Sequence, residues 1–356
     1  MNDGNKQLKD YLKGLFTNFQ PYNITDDDRK IIQKSHVNFI VQKLLRKKFR
    51  KQHLHPETIK EFTDKITNKL KENKPIHFTI PFGGYKHFWN TSYPEPDWAE
   101  VFTLKFLTDW VMPILVSYKP GVIIDFISED IILPRMNNYP DDALEKYSQI
   151  FSSLLDIYKK SLPKNFIINF FRVGDKCNKK NFIQKVENLL PERWEKWTTY
   201  TSQQKDIELK RSRRSVMWKG KDDLTTLSQR DKDKRIIESR LIELAYYDVE
   251  ADPEVLGDYL TGDNRIGICF SFGLSPDNAT HWIALGSTYA SVVDFWIGRG
   301  ILEKTSNGFM PRIVSGGQYQ KIKDSLQIYQ LEFNCLPSKN YQIIEAISSE
   351  DWNNRF

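Results

Sequence analysis

The sequence predicts an α/β fold in which a mostly parallel, Rossmann-like sheet is flanked by helices. Short apolar runs typical of buried strands occur at 76–80, 122–127 and 166–171. The stretches between them, at 97–118 and 141–160, have the periodicity of helices, so strands and helices alternate along the middle of the chain. A helical amino-terminal region and a mixed α/β carboxyl-terminal part complete this prediction.

The 356 residues divide by pattern into four regions. We expect a helical region over 1–74, an α/β core over 75–174 and a charged helical segment over 175–250. The remaining residues, 251–356, are expected to supply strands that complete the α/β domain.

The terminal regions have simpler patterns than the core. Residues 1–24 are expected to be partly helical, and apolar stripes predict one helix after Thr25 and another over 56–73. Apolar runs near the carboxyl terminus predict strands at 265–272, 281–285, 292–297, 312–314 and 325–333.

The helix between the first two strands has clear start and stop signals. Asp97 and Glu100 have the spacing of a capping box, and the following run is apolar on most sides, which predicts a largely buried helix. Pro113 is expected to kink it. The sequence Lys119-Pro120-Gly121 predicts the turn into the next strand.

Polar residues follow the carboxyl ends of the first two predicted strands. Lys86 and His87 come after the first, and Ser128, Glu129 and Asp130 come after the second. Ligands of open parallel sheets bind outside these ends, so the residues are candidates for a site. An ordinary strand–helix–strand unit with polar loops is the alternative.

Composition excludes several classes of protein. The chain is 40% apolar, carries a net charge of +6, and contains no apolar run approaching the twenty residues that a membrane-spanning helix needs. Its amino terminus has no hydrophobic core of a signal peptide, which favours a cytoplasmic protein. Three distant cysteines form no metal-binding spacing, and no dinucleotide, P-loop or HExxH motif is present, so no cofactor or metal is expected.

Two basic segments are candidates for binding anions. The run 43–51 favours a solvated helix end over a nucleic-acid surface, because no RNA-binding motif accompanies it. In the segment 210–219, Arg211, Arg213 and Arg214 could hold a phosphate or carboxylate. A solvated charge run is the alternative, but the adjacent apolar residues 216–218 indicate a half-buried segment and favour the anion site.

Residues 74–160 resemble the isocyanide synthases of dityrosine and pyoverdine biosynthesis. The resemblance is carried by an ordered set of short motifs: Pro81-Phe82, Lys86, Pro96-Asp97, Glu100, Tyr118-Lys119-Pro120-Gly121 and Ser128-Glu129-Asp130. The family usually has Ser-Asp-Gly where this chain has the last of these motifs. Later in the chain, Arg265 matches an arginine that begins a strand in the family.

The resemblance implies an enzyme that joins the amine of an amino acid to the ketone of ribulose 5-phosphate and forms an isocyanide. It implies small-molecule partners and no redox cofactor or metal. Such chemistry needs an acid and a base, cations for the phosphate and an apolar slot. Candidates for catalysis are Lys86, His281, Glu129 and Asp130. Candidates for binding substrate or phosphate are Arg211, Arg213, Arg214, Arg265, Tyr85, Trp89 and Ser128.

Two other functions are compatible with the sequence. One is a different transferase or lyase on the same fold, acting on another phosphorylated or amino substrate. The other is a nucleic-acid-binding protein that uses the basic helix 40–51, for which added salt would steeply weaken binding. The sequence names neither the amino acid nor the oligomeric state.

Overall fold

A computed structural model provides the three-dimensional structure of the chain. It describes residues 3–49, 54–82, 95–128, 130–213, 215–252, 254–256, 265–269, 282–286, 298–331, 333 and 335–356.

A parallel sheet of five strands forms the centre of the described structure and confirms the predicted α/β fold. Its spatial order is β3-β2-β1-β4-β5. The three predicted core strands pair along their whole length. The first two pair from Ile76 beside Val122 to Phe82 beside Ser128, and the pairing of the second with the third begins with Val122 beside Phe166. The strands are β1 Ile76–Phe82, β2 Val122–Ser128, β3 Phe166–Arg172, β4 Ile266–Cys269 and β5 Trp282–Ala284.

One face of this sheet is apolar and is covered by α5 (Trp98–Ser117) and α7 (Asp141–Lys159). The ring of Phe78 lies 4.9 Å from that of Trp110 in α5, and Phe82 stacks on Phe151 in α7 at 4.3 Å. Most positions of α5 are buried, as its all-round apolar sequence predicts.

The capping box predicted for α5 is present. The backbone N–H of Ala99 donates to Asp97 Oδ1 at 2.7 Å, and the N–H of Asp97 donates to Glu100 Oε2 at 2.8 Å. Glu100 is fully buried and also accepts a hydrogen bond from the Tyr147 hydroxyl at 3.0 Å. These contacts give the glutamate a structural role at the start of the helix.

The amino-terminal region packs its helices into the same apolar core as the sheet. The single helix expected after Thr25 is divided at Ser35, whose extended backbone ends one helix while its hydroxyl accepts from the N–H of Asn38 and caps the next. The helices are α1 Asp3–Thr17, α2 Asp26–Lys34, α3 His36–Leu44 and α4 Pro56–Lys71.

A glycine turn connects α5 to β2. Gly121 has a φ of +75°, and a Cβ at this position would lie 1.8 Å from the carbonyl oxygen of Asn165. Only glycine adopts this backbone at low cost in such a narrow space. The turn therefore fixes the start of β2 beside the start of β3.

The charged helical segment builds a second apolar cluster against the carboxyl end of β2, where Ile127 joins it. Phe182 and Tyr246 pack together within it, with ring centroids 5.6 Å apart. The helices that contribute are α6 Leu133–Asn137, α8 Lys179–Thr199, α9 Ser202–Ser212 and α10 Gln229–Glu250.

The carboxyl-terminal strands divide between two sheets. Only β4 and β5 join the central sheet, while the later strands form a mixed four-stranded sheet in the order β7-β6-β9-β8. Their elements are β6 Arg299–Thr305, β7 Gly308–Val314, α11 Gly316–Ile322, β8 Gln327–Gln330, β9 Ile343–Ser348 and α12 Ser349–Arg355.

The second sheet contains the predicted strand at 312–314 and part of that at 325–333, and its strands at 299–305 and 343–348 were not predicted. The range 292–297 lies outside the described residues. Gly300 allows the close approach of this sheet to α5, since a Cβ there would lie 2.4 Å from the Ala99 nitrogen.

Candidate functional site

The strand order identifies the edge of the sheet at which a ligand is expected. It is the order of the first five strands of a Rossmann-type doubly wound sheet, and it reverses direction between β1 and β4. Ligands of such sheets bind outside the carboxyl ends of the strands at this switch point. The chain leaves β1 at Phe82, just before the motif residue Lys86, so that connection begins at the switch point.

At the same edge, three polar residues meet at the ends of β2 and β3. Ser128 ends β2, is 1% exposed, and lies beside Arg172 in the sheet register. Asp130 forms an ion pair with the Arg172 guanidinium, which also binds Glu145. Burial raises the pKa of Asp130, and the positive charge of Arg172 opposes this only in part.

The other face of the sheet carries a polar cluster centred on Asp125 in β2. His77 Nε2 in β1 lies 2.7 Å from Asp125 Oδ2, and Arg265 Nη1, just before β4, lies 2.6 Å from the same oxygen. Asn169 in β3 donates to Asp125 Oδ1 at 2.8 Å. Alternation along the strands places the side chains at 77, 125 and 169 on this face.

The charge on Asp125 decides which atom donates in its contact with His77. Burial alone would raise the pKa of Asp125, but the hydrogen bonds from His77, Asn169 and Arg265 outweigh it and lower the pKa. An ionised carboxylate only accepts hydrogen bonds, so Nε2 of His77 is the donor in this contact. The contact with Asp125 therefore uses Nε2 and not Nδ1.

An amino-terminal helix contacts the Asp125 cluster, and part of the cluster is accessible to water. Lys65 in α4 donates to the backbone carbonyl of Arg265 at 3.0 Å. The side chain of Asp125 is 3% exposed, whereas those of His77 and Arg265 are 19% and 15% exposed. A buried carboxylate that orients a partly accessible imidazole is an arrangement suited to proton transfer.

The predicted site residues are only partly brought together among the described residues. Ser128 and Asp130 meet at the carboxyl edge of the sheet, and Arg265 lies in the Asp125 cluster. Arg213 is exposed at the end of α9, and Arg211 lies within α9. Outside the described residues, or without a described side chain, are Tyr85, Lys86, Trp89, Glu129, Arg211, Arg214 and His281.

The basic run 43–51 makes internal contacts that a nucleic-acid surface would not need. Lys43 Nζ lies 2.6 Å from Asp28 Oδ1 in a largely buried ion pair. The guanidinium of Arg46 lies over the ring of Phe49, 4.7 Å from its centroid. These two cations therefore stabilise the packing of α2 and α3 against the core.

Sequence reasoning missed His77, Asp125, Asn169 and Arg172 as candidates. Asp125 lies in a run of apolar residues, and a charge in a buried strand requires partners, which was the available signal. Its partners could not be inferred from spacing, since they lie 48 and 140 residues away in the chain.

The comparisons with known proteins support the fold. No protein-family profile matches the sequence, and no curated protein matches it. Among solved structures, the chain is similar to the crystal structure of the PvcA protein from Pseudomonas aeruginosa, with a TM-score of 0.58 and 14% sequence identity. The match covers 87% of this chain and 99% of that chain, so the two share the α/β architecture over most of their length.

Two further properties concern the described residues. None of their helices combines the length and the apolar character needed to cross a lipid bilayer. No group of three or more His, Cys, Asp or Glu side chains among them is arranged to hold a metal ion.

Proposed function

We propose that this protein is a biosynthetic enzyme of the isocyanide synthase kind, which condenses the amine of an amino acid with the ketone of ribulose 5-phosphate. The observation that carries this proposal is the coincidence of the ordered motifs with the switch point. Pro81-Phe82 ends β1, and Ser128 ends the neighbouring strand at the same edge of the sheet. The structural likeness to PvcA supports it at the level of the fold.

The first chemical step requires proton transfers that residues of this chain can perform. When an amine adds to a ketone, the nitrogen must lose protons and the carbonyl oxygen must leave as water. His77 is a candidate for one of these transfers, because Asp125 orients its ring through Nε2. It lies beside Ile123 in the amino half of the sheet, so it can serve only a substrate group that reaches along this face from the carboxyl ends of the strands. Asp130 is a second candidate acid or base, since burial raises its pKa toward neutral pH.

The residues predicted at the two strand ends remain part of this proposal. Lys86, Glu129 and His281 are candidates for proton transfer, and Tyr85 and Trp89 for a slot that receives the amino-acid side chain. Ser128 stays a candidate for substrate binding at the end of β2, where its side chain is buried and would have to be uncovered to make the contact. Arg265 instead acts through Asp125, whose charge it stabilises at 2.6 Å, and so is assigned a positioning role.

The test is incubation with a pool of amino acids and ribulose 5-phosphate that carries ¹³C at its ketone carbon. We expect a product in which the label appears as the isocyanide carbon, detected by mass spectrometry and by the nitrile-like infrared stretch of an isocyanide. Labelled sugar recovered unchanged, with every amino acid intact, would reject the proposed reaction. Labelled products without an isocyanide would instead favour another transferase or lyase on this fold.

A further inference from the structure

A cleft of about 410 Å³ opens beside the carboxyl end of β2, next to the Asp130–Arg172 pair. Its walls come from the chain after β2, the first turns of α8, the segment before α10, and α10 itself. The volume lies in the range of small-molecule sites. Apolar residues on its walls are Ile131, Pro134, Ile183 and Leu224.

Asn138 fixes the shape of this cleft. It has a φ of 62°, and its side-chain Nδ2 donates to the carbonyls of Met217 and Asp222, each at 2.8 Å. Its own Oδ1 accepts from the N–H of Asp222 at 3.0 Å. Gly220 fits closely here, since a Cβ would lie 1.9 Å from the Asn138 carbonyl oxygen. The segment 217–222 is thereby fastened to the chain that follows β2.

The cleft is lined by four cations and two carboxylates. The cations are Arg135, Lys179, Lys221 and Arg235, and the carboxylates are Asp141 and Asp222, so the lining charge is 4 − 2 = +2. Two of the cations are already paired: Lys221 with Asp141 at 2.8 Å, and Arg135 with Glu187 and Glu238. The other two cations are Lys179 and Arg235, and the remaining carboxylate of the lining is Asp222. Arg235 also lies 3.9 Å from Glu238, so Lys179 is the lining cation for which no ion pair is described.

Arg235 has an unused donor group inside the protein. Its Nη2 donates to the carbonyls of Arg135 and Met136, whereas Nη1 has no hydrogen-bond partner among the described residues although it is buried. The nearest carboxylate oxygen, Oε2 of Glu238, lies 3.9 Å away. A buried guanidinium nitrogen without a hydrogen bond is costly. Because Nη1 is closed off from solvent, the Arg235 side chain must shift toward an anion in the cleft to give this nitrogen a partner.

We propose that this cleft binds a phosphate monoester, with Arg235 and Lys179 as its cationic contacts. A phosphate offers several acceptor oxygens and a charge near −2, which suits one guanidinium and one ammonium together. The apolar walls leave room for the carbon chain of the ester. The identity of that ester as ribulose 5-phosphate rests on the proposed function, whereas the phosphate contact itself does not.

The experiment measures binding of inorganic phosphate, and then of ribulose 5-phosphate, by isothermal titration calorimetry. Lys179 is an exposed residue at the start of α8, so Lys179→Met is expected to fold normally. Its neighbour Lys180 is also exposed but does not line the cleft, and Lys180→Met is the matched control. We expect the first variant to weaken binding of both anions about tenfold or more, and the second to leave it unchanged.

Arg235→Met and Arg235→Lys form a second pair. The loss of binding should be larger in the methionine variant than in the lysine variant, because lysine keeps a positive charge. If Lys179→Met and Lys180→Met weaken binding equally, the effect comes from the overall charge of the surface, and the proposed site is overturned. Undiminished phosphate binding in Lys179→Met and Arg235→Met together would overturn it as well.

Kinetics separate this inference from the proposed function. In the condensation assay, Lys179→Met should raise KM for ribulose 5-phosphate about tenfold and leave KM for the amino acid unchanged. If only KM for the amino acid rises, the cleft binds the carboxylate of the amino acid, and the phosphate assignment is overturned. Phosphate binding that follows the expected pattern in a protein without condensation activity would support the cleft while rejecting the reaction.

Discussion

The imidazole Nε2 of His77 lies 2.7 Å from the buried carboxylate of Asp125, across two adjacent parallel strands. The carboxylate is also held by Arg265 and Asn169, so its position does not depend on the histidine alone. Such support keeps the imidazole in one orientation, which a proton-transfer residue needs. The pair therefore provides the most direct test of chemistry on this face of the sheet.

Replacement of His77 by glutamine should lower turnover in the condensation reaction by about two to four orders of magnitude. Glutamine retains a donor for Asp125 but cannot exchange a proton near neutral pH. Turnover and the midpoint of thermal unfolding are the measurements. The control is His36→Gln, because His36 packs against Tyr118 and Ser117 away from this cluster. Equal turnover in both variants would exclude His77 from the chemistry.

The three core strands could be predicted from the sequence because they are nearly continuous apolar runs, a pattern typical of strands in parallel sheets. In the second sheet, β6 and β9 were not predicted. β6 mixes three charged residues with its apolar ones, and it pairs with β7 through a tight turn at Thr305 to Gly308. Burial of Glu303 against Arg312 becomes visible only once the hairpin forms.

The candidate site was predictable at the carboxyl edge and not on the sheet face. Ser128 and Asp130 follow a strand directly, so their place was fixed by chain order. The Asp125 cluster draws one side chain from each of three strands and one from the residue before β4. Such convergence depends on strand order, which local patterns do not encode.

Replacement of Gly121 by alanine should destabilise the fold by about 2 kcal/mol or more. The left-handed backbone alone costs an alanine about 1–2 kcal/mol, and the new Cβ would overlap the Asn165 carbonyl. Urea denaturation measures the change. Gly317→Ala is the control, because a Cβ there meets no atom within 4 Å and the residue lies in helix α11. Similar stability in the two variants would contradict this account of the turn.

The ion pair of Asp28 and Lys43 should make stability depend on pH in the acid range. Burial alone would raise the pKa of Asp28, but hydrogen bonds from Lys43, Tyr22 and the Thr25 backbone outweigh it and lower the pKa to about 2. Since the folded pKa lies below the unfolded value of 3.8, the contribution is complete above about pH 5 and is lost as pH falls toward 2.

Asp28→Asn should therefore cost about 2 kcal/mol at neutral pH, and the difference from the unsubstituted protein should shrink on acidification. Chemical denaturation at a series of pH values from 7 to about 2 measures it. Asp26 lies in the same helical turn with its side chain 90% exposed, so Asp26→Asn should have little effect at any pH. A constant difference for Asp28→Asn across the series would show that the charge of Asp28 is not responsible.

Replacement of Lys86 by alanine should leave the fold intact and remove most of the activity. Lys86 follows β1, whose end lies at the switch point of the sheet, and a cation there can hold a phosphate or transfer a proton. Loss of a charge-assisted phosphate contact costs roughly 1.5–3 kcal/mol, or about one to two orders of magnitude in rate. Loss of a general base lowers the rate by about two to four orders of magnitude. The measurements are turnover and thermal unfolding.

The control for Lys86→Ala is Lys119→Ala, because Lys119 is exposed in the turn before β2, at the opposite edge of the sheet. A folded Lys86→Ala protein with the turnover of this control would locate the chemistry elsewhere, first at Asp130 and His281. An unfolded variant would assign Lys86 a structural role. If KM for the sugar phosphate rises while turnover at saturation is kept, the lysine binds the phosphate and the proton transfers belong to other residues.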